Sequence, residues 1–282
     1  NPQAASTMTT NIATLAVKAL IANGIDQLYC LPGVQNDHFF NALFDHTDMI
    51  TPIQTRHEQG AAYMATGAAL ATGESQVFCV VPGPGFLNTT AALSTAYAVN
   101  APVMAFVGQI PTGAQGKGHG LLHEIPDQFG ILERLTKSAH RVTGATDAAS
   151  TIATAFRDLA SGRPQPVGLE IAVNLWTQTI EGAVPDLVPE TVAAPQPDST
   201  AIDDAASLIA AARAPMIVVG GGAQDDAEAL QALARRIGAP VVAFRTGHGV
   251  MPSDDPLSIG MPMAHSLWPD VDLVIGLGTR LQ

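Results

Sequence analysis

The spacing of apolar residues switches repeatedly along the chain, and those switches predict its elements. Between Thr9 and Asn23, Ile12, Leu15, Ala16, Ala19 and Leu20 recur at helical spacing. DQLYCLPG reads as a strand ending in a Pro-Gly turn, DHFFNALFD as a short helix and MITPIQT as a second strand. A helix then starts at Glu58. QVFCVVPGPG is almost continuously apolar, as a strand covered on both faces must be. FLNTTAALSTAYAVN reads as a helix, APVMAFVG as a strand and QIPTGAQGKGHGLLHEIP as a long glycine-rich loop. Asp147 to Leu159 is helical, and PVGLEIAV is a further strand. Strand and helix alternate throughout, which predicts an α/β fold with an open, mainly parallel sheet flanked by helices.

The pattern breaks at EGAVPDLVPETVAAPQPDS, a stretch rich in proline and acid with no period, and 183–200 is read as a linker. It separates a first domain, 1–182, from a second, 201–282. In the second, AIDDAASLIAAA and DAEALQALARRIG read as helices. PMIVVGGG, APVVAFRT and DVDLVIGLG read as strands. About three strands make a thin Rossmann-like sheet, so this domain is expected to be truncated.

Composition narrows the function classes. Of 282 residues, 47% are hydrophobic and 13% charged, which suits a globular chain with a large core. The formal charge of −12 argues against a polyanionic partner such as nucleic acid. No apolar run reaches the roughly 18 residues that cross a bilayer. NPQAASTMTTN lacks the charged start and apolar stretch of a signal peptide, so no membrane partner and a cytoplasmic setting are expected. The two cysteines, Cys30 and Cys79, lie in apolar runs and read as buried thiols. The eight histidines show no ligand spacing, so no protein metal site is expected in this chain.

Two segments place glycines between a strand and a helix. VVPGPGFLNTTAAL carries Gly83, Gly85 and Asn88, and IVVGGGAQDDAEAL carries Gly220, Gly221 and Gly222. Such glycines let backbone N–H groups approach an anion; they serve equally well in a tight strand-to-helix turn. Glu58 is more pointed. A glutamate in a first helical turn is favourable with the helix dipole alone. Here it is followed on one face by Ala61, Ala62 and Ala65, with Gly60 and Gly67 nearby, residues small enough to admit another helix or a flat ligand. A carboxylate there could hold a protonated ring nitrogen.

RHEQGAAYMATGAALATG, VPGPGFLNTTAAL, APVMAFVGQIPT and LTKSAHRV together resemble the pyrimidine-binding domain of thiamine diphosphate enzymes of the acetolactate synthase type. PMIVVGGGA, IGAPVVAFRTGHGVMPSDDPLSIGM and DLVIGLGTRL resemble the middle domain of the same family. The resemblance implies that Glu58 hydrogen-bonds N1′ of the aminopyrimidine and promotes ylide formation, for attack on a 2-oxo acid. It places Pro32, Gly33 and Val34 near the reacting centre, and Gly83, Gly85 and Asn88 beside the pyrimidine. It implies FAD or ADP as a candidate at Gly220, Gly221, Gly222 and Arg280. The family's Phe-Gln-Glu run is matched only by Leu122, His123 and Glu124, shifted by one residue. That departure offers His123 as an acid/base group. With Gln35, Asn36, Asp37 and His38, it points to a different or more polar substrate.

The Gly-Asp-Gly motif that holds diphosphate and Mg2+ in the family is missing from the sequence. The resemblance therefore assigns those ligands to a second subunit or a C-terminal part, within a homodimer or tetramer. The expected function is that of the N-terminal part of a carboligase or lyase acting on 2-oxo acids. A decarboxylase or acyl-CoA lyase of the same superfamily is the alternative, and a non-catalytic nucleotide-binding or regulatory module is the alternative of another class.

Overall fold

The computed structural model describes residues 10–181, 187–188 and 192–281, and the chain divides into two units, Asn1–Ala194 and Pro195–Gln282. In the first, β1 (Thr10–Asn11) leads into α1 (Ile12–Ala22), whose N-terminus is capped by Asn11 Oδ1 accepting from Thr14 N at 2.9 Å. Next come β2 (Gln27–Leu31), α2 (Asp37–Phe44), β3 (Thr51–Gln54), α3 (Glu58–Thr72) and β4 (Gln76–Val80). These are followed by α4 (Pro84–Leu87), α5 (Thr90–Val99), β5 (Val103–Gln109), α6 (Gln128–Leu135) and β6 (Ser138–Arg141). The unit closes with α7 (Ala148–Ala160), β7 (Val167–Ala172) and β8 (Thr179–Ile180), the last pairing antiparallel with β1.

Six of these strands form one parallel sheet in the order β3-β2-β4-β5-β7-β6. Its apolar strands have a separate core on each face, as the run QVFCVV required. Val77 and Cys79 enter one cluster with α1, α2 and α7, while Phe78 and Val80 enter the other with α3 and α5. The first cluster is anchored by Phe39, Phe106 and Trp176, whose ring centroids lie 4.9–5.7 Å apart. After β2 the chain runs outward to β3 and then returns to lay β4 on the other side of β2. The switch point therefore falls between β2 and β4, at the edge of the sheet where open α/β folds bind their ligands.

Two elements of this unit escape the sequence pattern. α6 lies in QFGILERL, and β6 is an edge strand with all four residues only partly buried, so no alternation marks it. The small face of α3 does admit another helix, and that helix is α5 of the same unit. Ala61, Ala62, Ala65 and Ala69 are buried in the unit's own core, against β2, β4 and α5.

In the second unit α8 (Ser199–Ala211), β9 (Pro215–Val219), α9 (Ala227–Ile237) and β10 (Val241–Ala243) follow the expected alternation. Then come β11 (Ser258–Ile259), α10 (Met261–Leu267) and β12 (Leu273–Leu277). The parallel sheet runs β11-β10-β9-β12, four strands where about three were expected. β11 is only two residues long, too short to carry a period. Residues 183–186 and 189–191 of the expected linker lie outside the described residues, and Ser199 and Thr200 already belong to α8, which Asp198 caps.

Candidate functional site

β3 delivers the chain to the carboxyl edge of the sheet, where α3 begins on Glu58. The preceding residue, His57, is extended and its Nδ1 accepts from Gln59 N at 3.2 Å, which starts the helix one residue before the carboxylate. Glu58 is half-buried, and its Oε2 accepts from Asn88 Nδ2 at 2.9 Å. Among the described residues, Oε1 has no hydrogen bond. Gly85 faces that oxygen: a Cβ there would stand 3.5 Å from Oε1 and 2.6 Å from Val81 Cγ2. A side chain at position 85 would occupy the volume beside the free oxygen, so glycine keeps it open.

The glycine loops on either side of the switch point close on Val81. A Cβ on Gly33 would lie 2.6 Å from Val81 Cγ1, so Val81, 6% exposed, is wedged between the β2 and β4 loops. The β4 loop is a tight turn in which Gly85 N donates to Pro82 O at 3.3 Å. Gly83 takes φ +58, ψ −123, the first central position of a type II′ turn, and its missing Cβ would collide with the His123 carbonyl. The turn glycines thus serve close packing and turn geometry together.

That collision partner ties the long loop to the site. His123 itself has φ +71, and its Nδ1 lies 2.8 Å from Gln35 Oε1. Gln35 Nε2 donates to Leu122 O at 3.3 Å, and Gln35 O accepts from the buried Trp176 Nε1 at 2.9 Å. The neighbouring Glu124 carboxylate accepts from Gly118 N, His119 N and Leu121 N at 3.0, 3.3 and 2.9 Å. These backbone donors, that of Leu121 foremost, hold the Glu124 pKa below the usual glutamate range. The structure therefore brings together Glu58, Asn88, Gly83, Gly85, Gly33 and His123. Pro32 and Val34 lie in the β2 loop; Val34 is 62% exposed.

Sequence reading missed what holds the β4 turn in place. Gly83 N donates to Gln128 Oε1 at 2.8 Å, and Gln128 Nε2 donates to Gly108 O at 3.0 Å and Glu170 Oε2 at 2.7 Å. Glu170 is fully buried, and it also accepts from Gln109 Nε2 at 3.0 Å and Arg141 Nε at 2.6 Å. The Arg141 guanidinium in turn lies 4.4 Å over the Phe129 ring. A glutamate in the middle of PVGLEIAV, an otherwise apolar strand, was the available signal: buried carboxylates need partners.

In the second unit, Gly220 N donates to Leu277 O at 3.0 Å and Gly222 N to Gly278 O at 3.1 Å. These glycines let the turns after β9 and β12 touch: a Cβ on Gly220 would strike the Gly278 carbonyl, and one on Gly221 would lie 2.6 Å from Thr246 Oγ1. A cavity of about 250 Å3 opens beside them, lined by Gly222, Ala223, Asp226 and Gly278 among others. Arg280 is exposed.

A parallel sheet that gathers a carboxylate and two glycine turns at its switch point defines an α/β domain built to hold a small organic molecule. The model of the thiamine pyrophosphate enzyme N-terminal TPP binding domain matches residues 10–131, and that of the central domain matches 202–282. The chain belongs to the thiamine pyrophosphate enzymes, in the acetolactate synthase-like family. It is 33% identical over 271 residues to the probable 2-ketoarginine decarboxylase AruI of Pseudomonas aeruginosa, covering 94% of this chain and 48% of that protein. A probable acetolactate synthase large subunit of Methanocaldococcus jannaschii is 33% identical over 285 residues, 95% of this chain and 47% of that protein. The acetolactate synthase isozyme 1 large subunit of Escherichia coli is 31% identical over 274 residues, 95% and 48%. The chain spans about half the length of these curated relatives.

Proposed function

We propose that this chain is the aminopyrimidine-holding part of a thiamine diphosphate-dependent carboligase or lyase acting on 2-oxo acids. The observation that carries the reading is Glu58: a half-buried carboxylate at the switch-point edge, with Oε2 held by Asn88, Oε1 without a hydrogen bond among the described residues, and Gly85 facing that oxygen. This arrangement fits a flat ring presenting an N–H edge. When bound, thiamine diphosphate supplies a carbon nucleophile for the 2-oxo acid carbonyl and accepts the electron pair left as CO2 departs. Glu58 holds the proton at the pyrimidine nitrogen N1′, and Asn88 fixes the orientation of the carboxylate. The β2 and β4 loops, locked by Val81, exclude water from one side, and His123 gives or takes a proton at the reacting end.

Diphosphate and Mg2+ are assigned to a part of the enzyme outside these 282 residues, since the sequence holds no Gly-Asp-Gly. A homodimer or tetramer is supported by exposed apolar residues on α3 and α5, namely Tyr63, Met64, Leu70 and Tyr97. Buried, unpaired Cys30 and Cys79 accord with a cytoplasmic setting. FAD or ADP at the second unit is supported by the cavity beside Gly222. It is opposed by the use of the Gly220 and Gly222 N–H groups in backbone bonds. Flavin absorbance of the purified protein decides between flavin and its absence.

A decarboxylase is the second reading, favoured by His123 in the long loop and by the likeness to a protein named as a 2-ketoarginine decarboxylase. The test is turnover of pyruvate and of longer 2-oxo acids by the complete enzyme, with Glu58→Gln alongside. Acetolactate supports the carboligase and an aldehyde the decarboxylase. A folded Glu58→Gln enzyme with near-normal turnover defeats both.

A further inference from the structure

The structure places Gln35, 88 positions before His123, where it decides which nitrogen of the histidine ring is free. We propose that Gln35 is a positioning residue that holds His123 as its Nδ1–H tautomer, so that Nε2 is the ring atom that exchanges protons with substrate. The proposal rests on the thiamine-enzyme reading for its catalytic consequence, and on geometry alone for the tautomer.

The Leu122 carbonyl can only accept a hydrogen bond, so the Gln35 amide must turn its NH2 group toward it, at 3.3 Å. That turns Oε1 toward His123 Nδ1, at 2.8 Å. An amide oxygen has no hydrogen to give, so Nδ1 must carry one. The opposite orientation of the amide would set its oxygen against the Leu122 carbonyl, two acceptors face to face. Neither partner is free to turn away. Gln35 is 6% exposed, its carbonyl is held by Trp176 Nε1 at 2.9 Å, and Asn36 N donates to Gly33 O at 2.8 Å in the same turn. His123 is fixed by its packing on Gly83 and by the Glu124-capped loop. Among the described residues, Nε2 has no hydrogen bond, so a neutral ring presents its lone pair there. The protonated ring keeps the same bond to Gln35, so proton exchange at Nε2 costs no rearrangement.

The test is long-range 1H–15N correlation spectroscopy of the labelled 282-residue chain at a pH where the ring is neutral, with the His123 signals assigned by their loss in His123→Gln. The expected result is an Nδ1–H ring in the wild type, converted largely to Nε2–H, the form favoured by histidine in water, in Gln35→Leu. Should Gln35→Leu not fold, Gln35→Asn, which keeps the amide but shortens its reach, must give the same conversion. A wild-type Nε2–H ring, or an Nδ1–H ring that survives in the folded variant, overturns the proposal. In the complete enzyme Gln35→Leu should lower kcat roughly 10- to 100-fold, less than the ~10²–10⁴ lost when general acid–base catalysis is removed altogether because His123 itself remains, with KM little changed. An unchanged kcat overturns the catalytic consequence. If the wild type turns over no 2-oxo acid, the functional reading fails while the tautomer result stands by itself.

Discussion

Glu170→Ala should be among the most damaging single changes in the first unit. Three donors converge on a carboxylate with no exposure: Arg141 Nε at 2.6 Å, Gln128 Nε2 at 2.7 Å and Gln109 Nε2 at 3.0 Å. Removing one partner of such a buried pair costs about 3–5 kcal/mol, because the remaining groups stay desolvated. Here the two glutamines, 6% and 2% exposed, each lose one acceptor, at roughly 1–3 kcal/mol apiece. The Arg141 side chain is 38% exposed and can reach water, which keeps the total within that range rather than above it. Trp176, fully buried in the same unit, reports its unfolding by fluorescence once Trp268 is replaced by phenylalanine. With a urea dependence of about 2 kcal/mol per molar, the midpoint should fall by about 2 M. Glu170→Gln keeps the volume but turns an NH2 group toward one of the three donors, and should lie between the two. A Glu170→Ala midpoint within about 0.3 M of wild type would refute the buried network as a source of stability.

Gly83→Ala forces an L-residue into φ +58, ψ −123 and drives a methyl into the His123 carbonyl. Strain of about 1–3 kcal/mol should lower the melting temperature by roughly 4–10 °C, and an unchanged melt would contradict the turn assignment. Burial pushes the Cys30 thiol up to about 11 and also raises that of Cys79, with its neighbour Cys30 adding to the effect. Both should resist alkylation at neutral pH until the chain is unfolded, so rapid labelling of native protein would count against the two-faced core. Glu124, whose folded pKa is depressed, supports its loop above the ordinary glutamate pKa and loses that role as pH falls through its lower folded value. The amide proton shifts of Gly118 and Leu121 should therefore titrate below the ordinary glutamate midpoint; a midpoint at or above it would remove the cap. Glu58→Gln should cost the complete enzyme at least about 10²-fold in turnover with unchanged circular dichroism.

What could be read in advance depended on whether a signal was local. β4 was legible because a strand covered on both faces must be apolar without interruption, and VFCVV is. β6 was not, because an edge strand with partial burial at every position needs no such run. The alanine face of α3 announced close packing but not its partner. Small residues permit approach equally from within the chain or from outside, and only the fold showed them inside.

By itself the sequence determined the α/β alternation, the glycine turns after β4 and β9, and the placement of Glu58 at a helix start. Each of these is dictated by backbone dihedral preference and apolar period over a few neighbouring residues. Only the tertiary structure decided that Gln128, 45 residues beyond Gly83 and 42 before Glu170, would join a turn to a buried carboxylate. It alone also decided that Gln35 would meet His123. Hydrogen bonds between distant side chains leave no periodic mark on a chain. They come into being when parallel strands stack in register and bring the ends of those strands to one edge.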